Sequence, residues 1–132
     1  MVWPSAARPA TTKLTDARKY VAITGTRDDD VAKAAVARLK AHGGDATFVA
    51  GDVGAVADHA RVLDAVEAAL GPVDVLVSNA GIAPPQRLDL METTPDNFDV
   101  VLGVNLRGAF FLAQAVARRM IASGKKDTRR AL

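Results

Sequence analysis

Cysteine is absent from this chain of 132 residues, which excludes a disulfide framework, thiolate chemistry and a zinc site built on sulfur. Histidine is nearly absent as well: with only His42 and His59, a metal site would have to rest on carboxylates, and none has ligand spacing. No apolar run reaches the roughly 18 residues that cross a bilayer, and no apolar segment of signal-peptide type follows Met1. These absences predict no membrane partner and, by default, a cytoplasmic location. The net charge of +2 is small and its basic residues are scattered, which argues against nucleic acid. What is present, 49% hydrophobic and 24% charged residues, suffices for one ordinary core.

Three stretches follow one another along the chain. Residues 1–18 carry Ala, Thr, Pro and basic residues, with Pro4 and Pro9 opposing helix and no β-branched run to make a strand. They are expected to form a disordered or unrelated leader, and the alternative of an organelle transit peptide is only faintly suggested. Residues 19–124 alternate short strands and helices, the pattern of a parallel sheet with crossover helices. Residues 125–132 read as a charged, solvated tail.

Within the middle stretch, Asp28, Asp29 and Asp30 can cap a helix over Val31–Ala41 whose apolar face is Val31, Ala35, Val36 and Leu39, ended by His42, Gly43 and Gly44. A second helix over Ala57–Leu70 would turn Ala60, Leu63, Ala65, Val66 and Leu70 inward and leave His59 exposed, with Gly71-Pro72 as its stop. The polar segment 82–95 contains Pro84-Pro85, which forbids regular pairing. Thr94 or Asp96 can then cap a helix bearing Phe98, Val101 and Leu102. A last helix, Ala109–Ala122, would bury Phe110, Leu112, Val116 and Met120.

The most informative stretch is Val73-Asp74-Val75-Leu76-Val77-Ser78-Asn79-Ala80-Gly81, an apolar run of buried-strand type ending in Asn-Ala-Gly. Ligands of open α/β sheets sit beyond the carboxyl ends of the strands, where small residues admit a flat group against the backbone and Asn offers both donor and acceptor. Taken alone, the three residues serve equally as an ordinary strand-to-loop turn.

With this turn the chain resembles the short-chain dehydrogenase/reductase family, in which Asn-Ala-Gly follows the fourth strand of a Rossmann-type sheet. Residues 20–27, Tyr-Val-Ala-Ile-Thr-Gly-Thr-Arg, look like the family's second strand. Residues 46–53, ending in Asp52-Val53, look like its third strand and adenine-contacting pair. The stretch from Asn97 to Gly108 looks like the helix carrying the active-site asparagine, here Asn105. The resemblance spans Lys19 to Gly124. It implies an α/β fold, a partial three-layer Rossmann-type parallel sheet, with NADP or NAD held by Arg27, Asp52, Val53, Asn79, Ala80 and Gly81. Asn105 would hold a proton-relay water during keto–hydroxy interconversion of a small carbonyl or alcohol. Arg27 pairs with a 2′-phosphate and so tilts the implied cofactor toward NADP.

Two departures qualify the resemblance. The first strand and its Thr-Gly-x-x-x-Gly-x-Gly turn are absent, and Asp29 and Val31 stand where Thr24-Gly25 would need further glycines. The catalytic Ser and the Tyr-x-x-x-Lys pair are absent too, since the only tyrosine is Tyr20. Turnover by these residues alone is therefore not expected, and the chain reads as a truncated member most like 3-oxoacyl reductases, lacking the first strand and the C-terminal half. Without the first strand, the strand at Val73 is expected to close up beside the one at Tyr20, ordered 46–50, 20–25, 73–78; a swapped or homo-oligomeric assembly is the other outlet for the open edges. Alternatives are a non-catalytic nucleotide-binding or dimerisation module, and a flavodoxin-like or receiver-like domain.

Overall fold

The structure, a computed structural model, describes residues 2–4 and 19–124. Two predicted strands are present: β2 (Lys19–Gly25) and β3 (Asp45–Ala50) run parallel, with Tyr20 opposite Asp45 and Gly25 opposite Ala50. Between them α1 (Asp30–Ala41) forms the crossover. Its N-cap is Asp29, whose Oδ1 accepts from the backbone N–H of Val31 at 3.1 Å and of Ala32 at 3.0 Å. Gly43, at φ +83°, supplies the left-handed residue that ends the helix. The inward residue is Ala32; Val31, expected on the buried face, is 77% exposed because the helix packs on β2 and β3 one position further round.

A 3₁₀ turn (Val56–Asp58) leads into α2 (His59–Leu70), which buries His59, Val62, Leu63, Val66 and Leu70. This overturns three expectations: His59 is 4% exposed rather than solvent-facing, and Ala60 and Ala65 lie outside. Positions 59, 62, 63, 66 and 70 share one face at helical spacing, so the helix that buries Val66 must also bury His59. Then α3 (Pro95–Leu102), a π-turn (Gly103–Gly108) and α4 (Ala109–Ala122) join end to end as one helical rod. The rod is long and apolar enough to cross a membrane by length and composition, although no continuous apolar run marks it in the sequence. Its Leu112, Val116 and Met120 face the protein core instead. Phe110, expected inside, is 61% exposed, since it lies two residues from Leu112 and thus on another side of the helix.

The core joins Ala22 of β2, Leu63, Val66 and Leu70 of α2, Val73, and the three inward residues of α4. Ala46 of β3, aligned with Val21, is buried on the opposite face, where α1 packs, so helices cover the sheet on both sides.

The expected third parallel strand is not there. Residues 73–78 form a single isolated bridge at Val75 and no strand, and the neighbour of β2 on that side is β1 (Val2–Pro4), antiparallel, with Val2 opposite Val21 and Pro4 opposite Lys19. The expectation of a strandless leader is corrected at these three residues; the rest of the leader and the tail lie outside the described residues. Val73, 3% exposed, holds the segment in the core with Leu63, Val66 and Leu70 of α2 and Leu112, Val116 and Met120 of α4. A gap of about 310 Å³ therefore separates residues 21–24 from residues 76–80.

Candidate functional site

The gap runs along the open edge of β2 from Val21 to Thr24, faces residues 76–80, and reaches the loop after β3 at Val53. Its walls include Thr24, Val53, Leu76, Ser78, Asn79 and Ala80, with Leu112 of α4 behind them. Of the residues singled out from the sequence, Val53, Asn79 and Ala80 line it directly. Asn79 and Ala80 are exposed, and the Asn79 amide makes no hydrogen bond among the described residues, leaving a donor and an acceptor at the rim.

The loop after β3 is fixed by its own polar groups. Asp52 Oδ1 accepts from the Gly54 N–H at 2.8 Å, and the Asp52 carbonyl accepts from the Ala55 N–H at 3.1 Å, a local Asx turn. Asp52 is exposed and borders a second, very small cavity shared with Thr24, Gly51, Val53 and His59. His59, expected at the surface, instead borders this cavity. Its Nε2–H donates to the Val53 carbonyl at 2.8 Å, which assigns the proton to Nε2 and leaves Nδ1 without a partner among the described residues. The helical spacing with Val62, Leu63 and Val66 could have revealed its burial, though not its bond.

The π-turn presses onto this loop from above. A Cβ at Gly108 would overlap the Val53 carbonyl, and one at Gly54 would come within 3.0 Å of Val104 Cγ2, so small residues permit the close approach. The same turn carries Asn105, whose Oδ1 accepts from the Ile82 N–H at 2.8 Å while its Nδ2 donates to the Ile82 carbonyl at 3.0 Å. Gly81 lies directly above: a Cβ there would stand 3.4 Å from Asn105 Oδ1. Residues 52–54, 79–82 and 103–108 thus meet at one end of the sheet.

Arg27 stands apart from this cluster. Its side chain is 84% exposed and its Nε lies 3.9 Å from Asp29 Oδ2, a loose pair on the surface. Nearby, Arg61 Nε and Nη2 grip both oxygens of Asp58 at 2.6 and 2.7 Å, and Nη2 also donates to the Ala50 carbonyl at 2.8 Å. The hydrogen bond from Arg61 holds the Asp58 carboxyl below its usual 3.8 despite some opposing desolvation. The described residues contain no group of three His, Cys, Asp or Glu able to hold a metal ion.

The arrangement offers a shallow, largely apolar recess with an amide and a carboxylate at its rim. It does not offer an anion cradle at α1, because the Asp29 carboxylate already takes the Val31 and Ala32 N–H groups.

Comparison with known proteins agrees with this geometry. The family profile described as short chain dehydrogenase matches residues 8–128. L-rhamnose 1-dehydrogenase (NAD(P)(+)) of Sphingomonas sp. is 39% identical over 107 residues, 79% of this chain and 40% of that protein. Among solved structures, a 3-oxoacyl-[acyl-carrier protein] reductase from Brucella melitensis in complex with NAD is similar with a TM-score of 0.74 at 37% identity, covering 83% of this chain and 42% of the other. A gluconate 5-dehydrogenase from Burkholderia cenocepacia in complex with NADP and tartrate gives 0.67 at 37% identity, covering 78% and 39%. The chain spans about two fifths of the length of these relatives.

Proposed function

The chain belongs to the short-chain dehydrogenase/reductase family, and on that premise we propose that residues 19–124 form the adenosine-binding half of a dinucleotide site belonging to a keto–hydroxy oxidoreductase. The observation that carries the reading is the gap of about 310 Å³ between β2 and residues 76–80, lined by Asn79, Ala80 and Val53. Pockets from about 300 Å³ upward suit small ligands when a few polar groups converge on an apolar wall.

The adenosine half of NADP or NAD is the group these residues would take. Asp52 and Val53 would flank the adenine, and Asn79, Ala80 and Gly81 would let the nucleoside approach the backbone; Arg27, exposed and apart from the gap, would reach a 2′-phosphate only where it projects from the site. When bound, the nicotinamide end supplies or accepts the hydride. Asn105 would act on the same site by holding Ile82, and hence Gly81, in place. These 132 residues contain no Tyr-x-x-x-Lys pair, and a missing general acid costs about 10² to 10⁴ in rate. We therefore assign them nucleotide binding without turnover on their own, toward a small carbonyl or alcohol substrate of the whole enzyme.

The test is a calorimetric titration with adenosine 2′,5′-bisphosphate and with AMP. Saturable binding of both, tighter for the 2′-phosphate form and lost in Asn79→Leu, supports the reading; no binding of either overturns it. A second reading, a dimerisation module, is favoured by a separate observation: Phe98, Leu106, Phe110 and Ile121 along the rod are 54%, 61%, 61% and 76% exposed.

A further inference from the structure

Beyond Gly81 the chain runs without helix or strand through Ile82–Gln86, yet it is not loosely held. Two asparagines of the helical rod fasten it, each with both halves of its amide. Asn105 takes the Ile82 N–H and gives to the Ile82 carbonyl, as described above. Asn97 repeats the pattern: its Oδ1 accepts from the Gln86 N–H at 3.1 Å and its Nδ2 donates to the Gln86 carbonyl at 2.9 Å. Each side-chain amide replaces the neighbouring strand that this backbone lacks.

Ile82 is tied to Asn105 and Gln86 to Asn97, so Ile82–Gln86, bent at Pro85 and Gln86, runs antiparallel to the rod like a strap tied at both ends. In an unbroken α-helix two residues eight apart would point about 80° away from each other. The π-turn at Gly103–Gly108 turns less per residue and brings Asn105 back toward the direction of Asn97.

The two ties differ in setting. Asn105 and Ile82 are exposed, where water competes for the same hydrogen bonds, while Asn97 is only 8% exposed. We propose that Asn97, whose side-chain hydrogen bonds go to the Gln86 backbone and not to the candidate nucleotide site, is a positioning residue for it: by anchoring Gln86 it holds the strap against the rod and thereby fixes Asn79–Gly81 at the gap. This inference rests on the nucleotide-binding reading above and adds a residue to it.

The experiment measures amide hydrogen exchange by NMR, together with adenosine 2′,5′-bisphosphate titration, in the unaltered chain, Asn97→Leu and Asn97→Asp. In Asn97→Leu both the Gln86 and the Ile82 amides exchange several-fold faster and nucleotide binding weakens several-fold, while the α2 core amides of Leu63 and Val66 keep their protection. Asn97→Asp, which retains the acceptor for the Gln86 N–H, recovers part of both effects. Gln86→Pro, which removes that N–H and leaves Asn97 in place, speeds Ile82 exchange as well, and it decides the matter should Asn97→Leu fail to fold. Unchanged exchange at Ile82, or unchanged nucleotide affinity with a released strap, overturns the inference. Failure of the unaltered chain to bind nucleotide overturns the underlying reading instead, whatever the exchange rates do.

Discussion

At the scale of single residues, two glycines of the π-turn separate contact from conformation. Gly103 meets nothing within 4 Å of a built Cβ, whereas a Cβ at Gly108 would overlap the Val53 carbonyl, which is backbone and cannot swing away. Gly108→Ala is expected to destabilise the fold by about 1–3 kcal/mol through overpacking, and Gly103→Ala to be neutral or stabilising by about 0.5–1 kcal/mol through helix propensity. Urea unfolding of the two variants checks both signs. A pH effect belongs to this scale too. The folded-state pKa of Asp58 is depressed by Arg61, so its stabilising contribution is fully present above about the usual 3.8 and is lost as the pH falls through the lower folded value. Asp58→Asn should flatten the stability profile below pH 4 and leave it unchanged in slope near neutrality, measured by denaturation at a series of pH values.

At the scale of elements, the question is which pieces hold each other. Arg119 of α4 reaches across to α2, donating to Glu67 at 2.7 Å, to Asp64 at 2.6 Å and to the Ala60 carbonyl at 3.2 Å. Partial burial alone would lower its pKa, but the two carboxylates more than offset this and the guanidinium ends above its ordinary value. With its side chain 26% exposed, Arg119→Met should cost about 1–2 kcal/mol in chemical denaturation, more than an ordinary surface pair. The elements also show what the sequence could convey. β2, β3, α1 and α4 were readable because apolar spacing and caps are local signals, as the Asp29 cap and the Thr94 cap on Asn97 illustrate. Residues 73–78 were not, since a strand exists only with a neighbour, and β1 took the edge of β2 that the segment would have needed. Of the candidate site, Asn79, Ala80 and Val53 were legible as a cluster. Asn97 was not, because a helix asparagine reads as solvated surface and its partner is a backbone group eleven positions upstream, which carries no residue identity.

At the scale of the whole molecule, the gap beside β2 and the exposed rod define an open half of a Rossmann-type arrangement, with helices on both sheet faces and one edge only partly covered. The apolar line of Phe98, Leu106, Phe110 and Ile121 predicts self-association. Sedimentation should find a species larger than monomer that Phe110→Asp dissociates, without loss of helical signal, because Phe110 lies outside the core. The proposed site would hold the nucleoside side of a dinucleotide, while at α1 the Asp29 carboxylate takes the N–H groups an anion would need. The most direct measurement compares NADPH with adenosine 2′,5′-bisphosphate in binding to the 132-residue chain while following NADPH oxidation with a keto ester. Similar affinities and no oxidation are the predicted result; much tighter NADPH binding, or sustained oxidation by the purified chain, would contradict it.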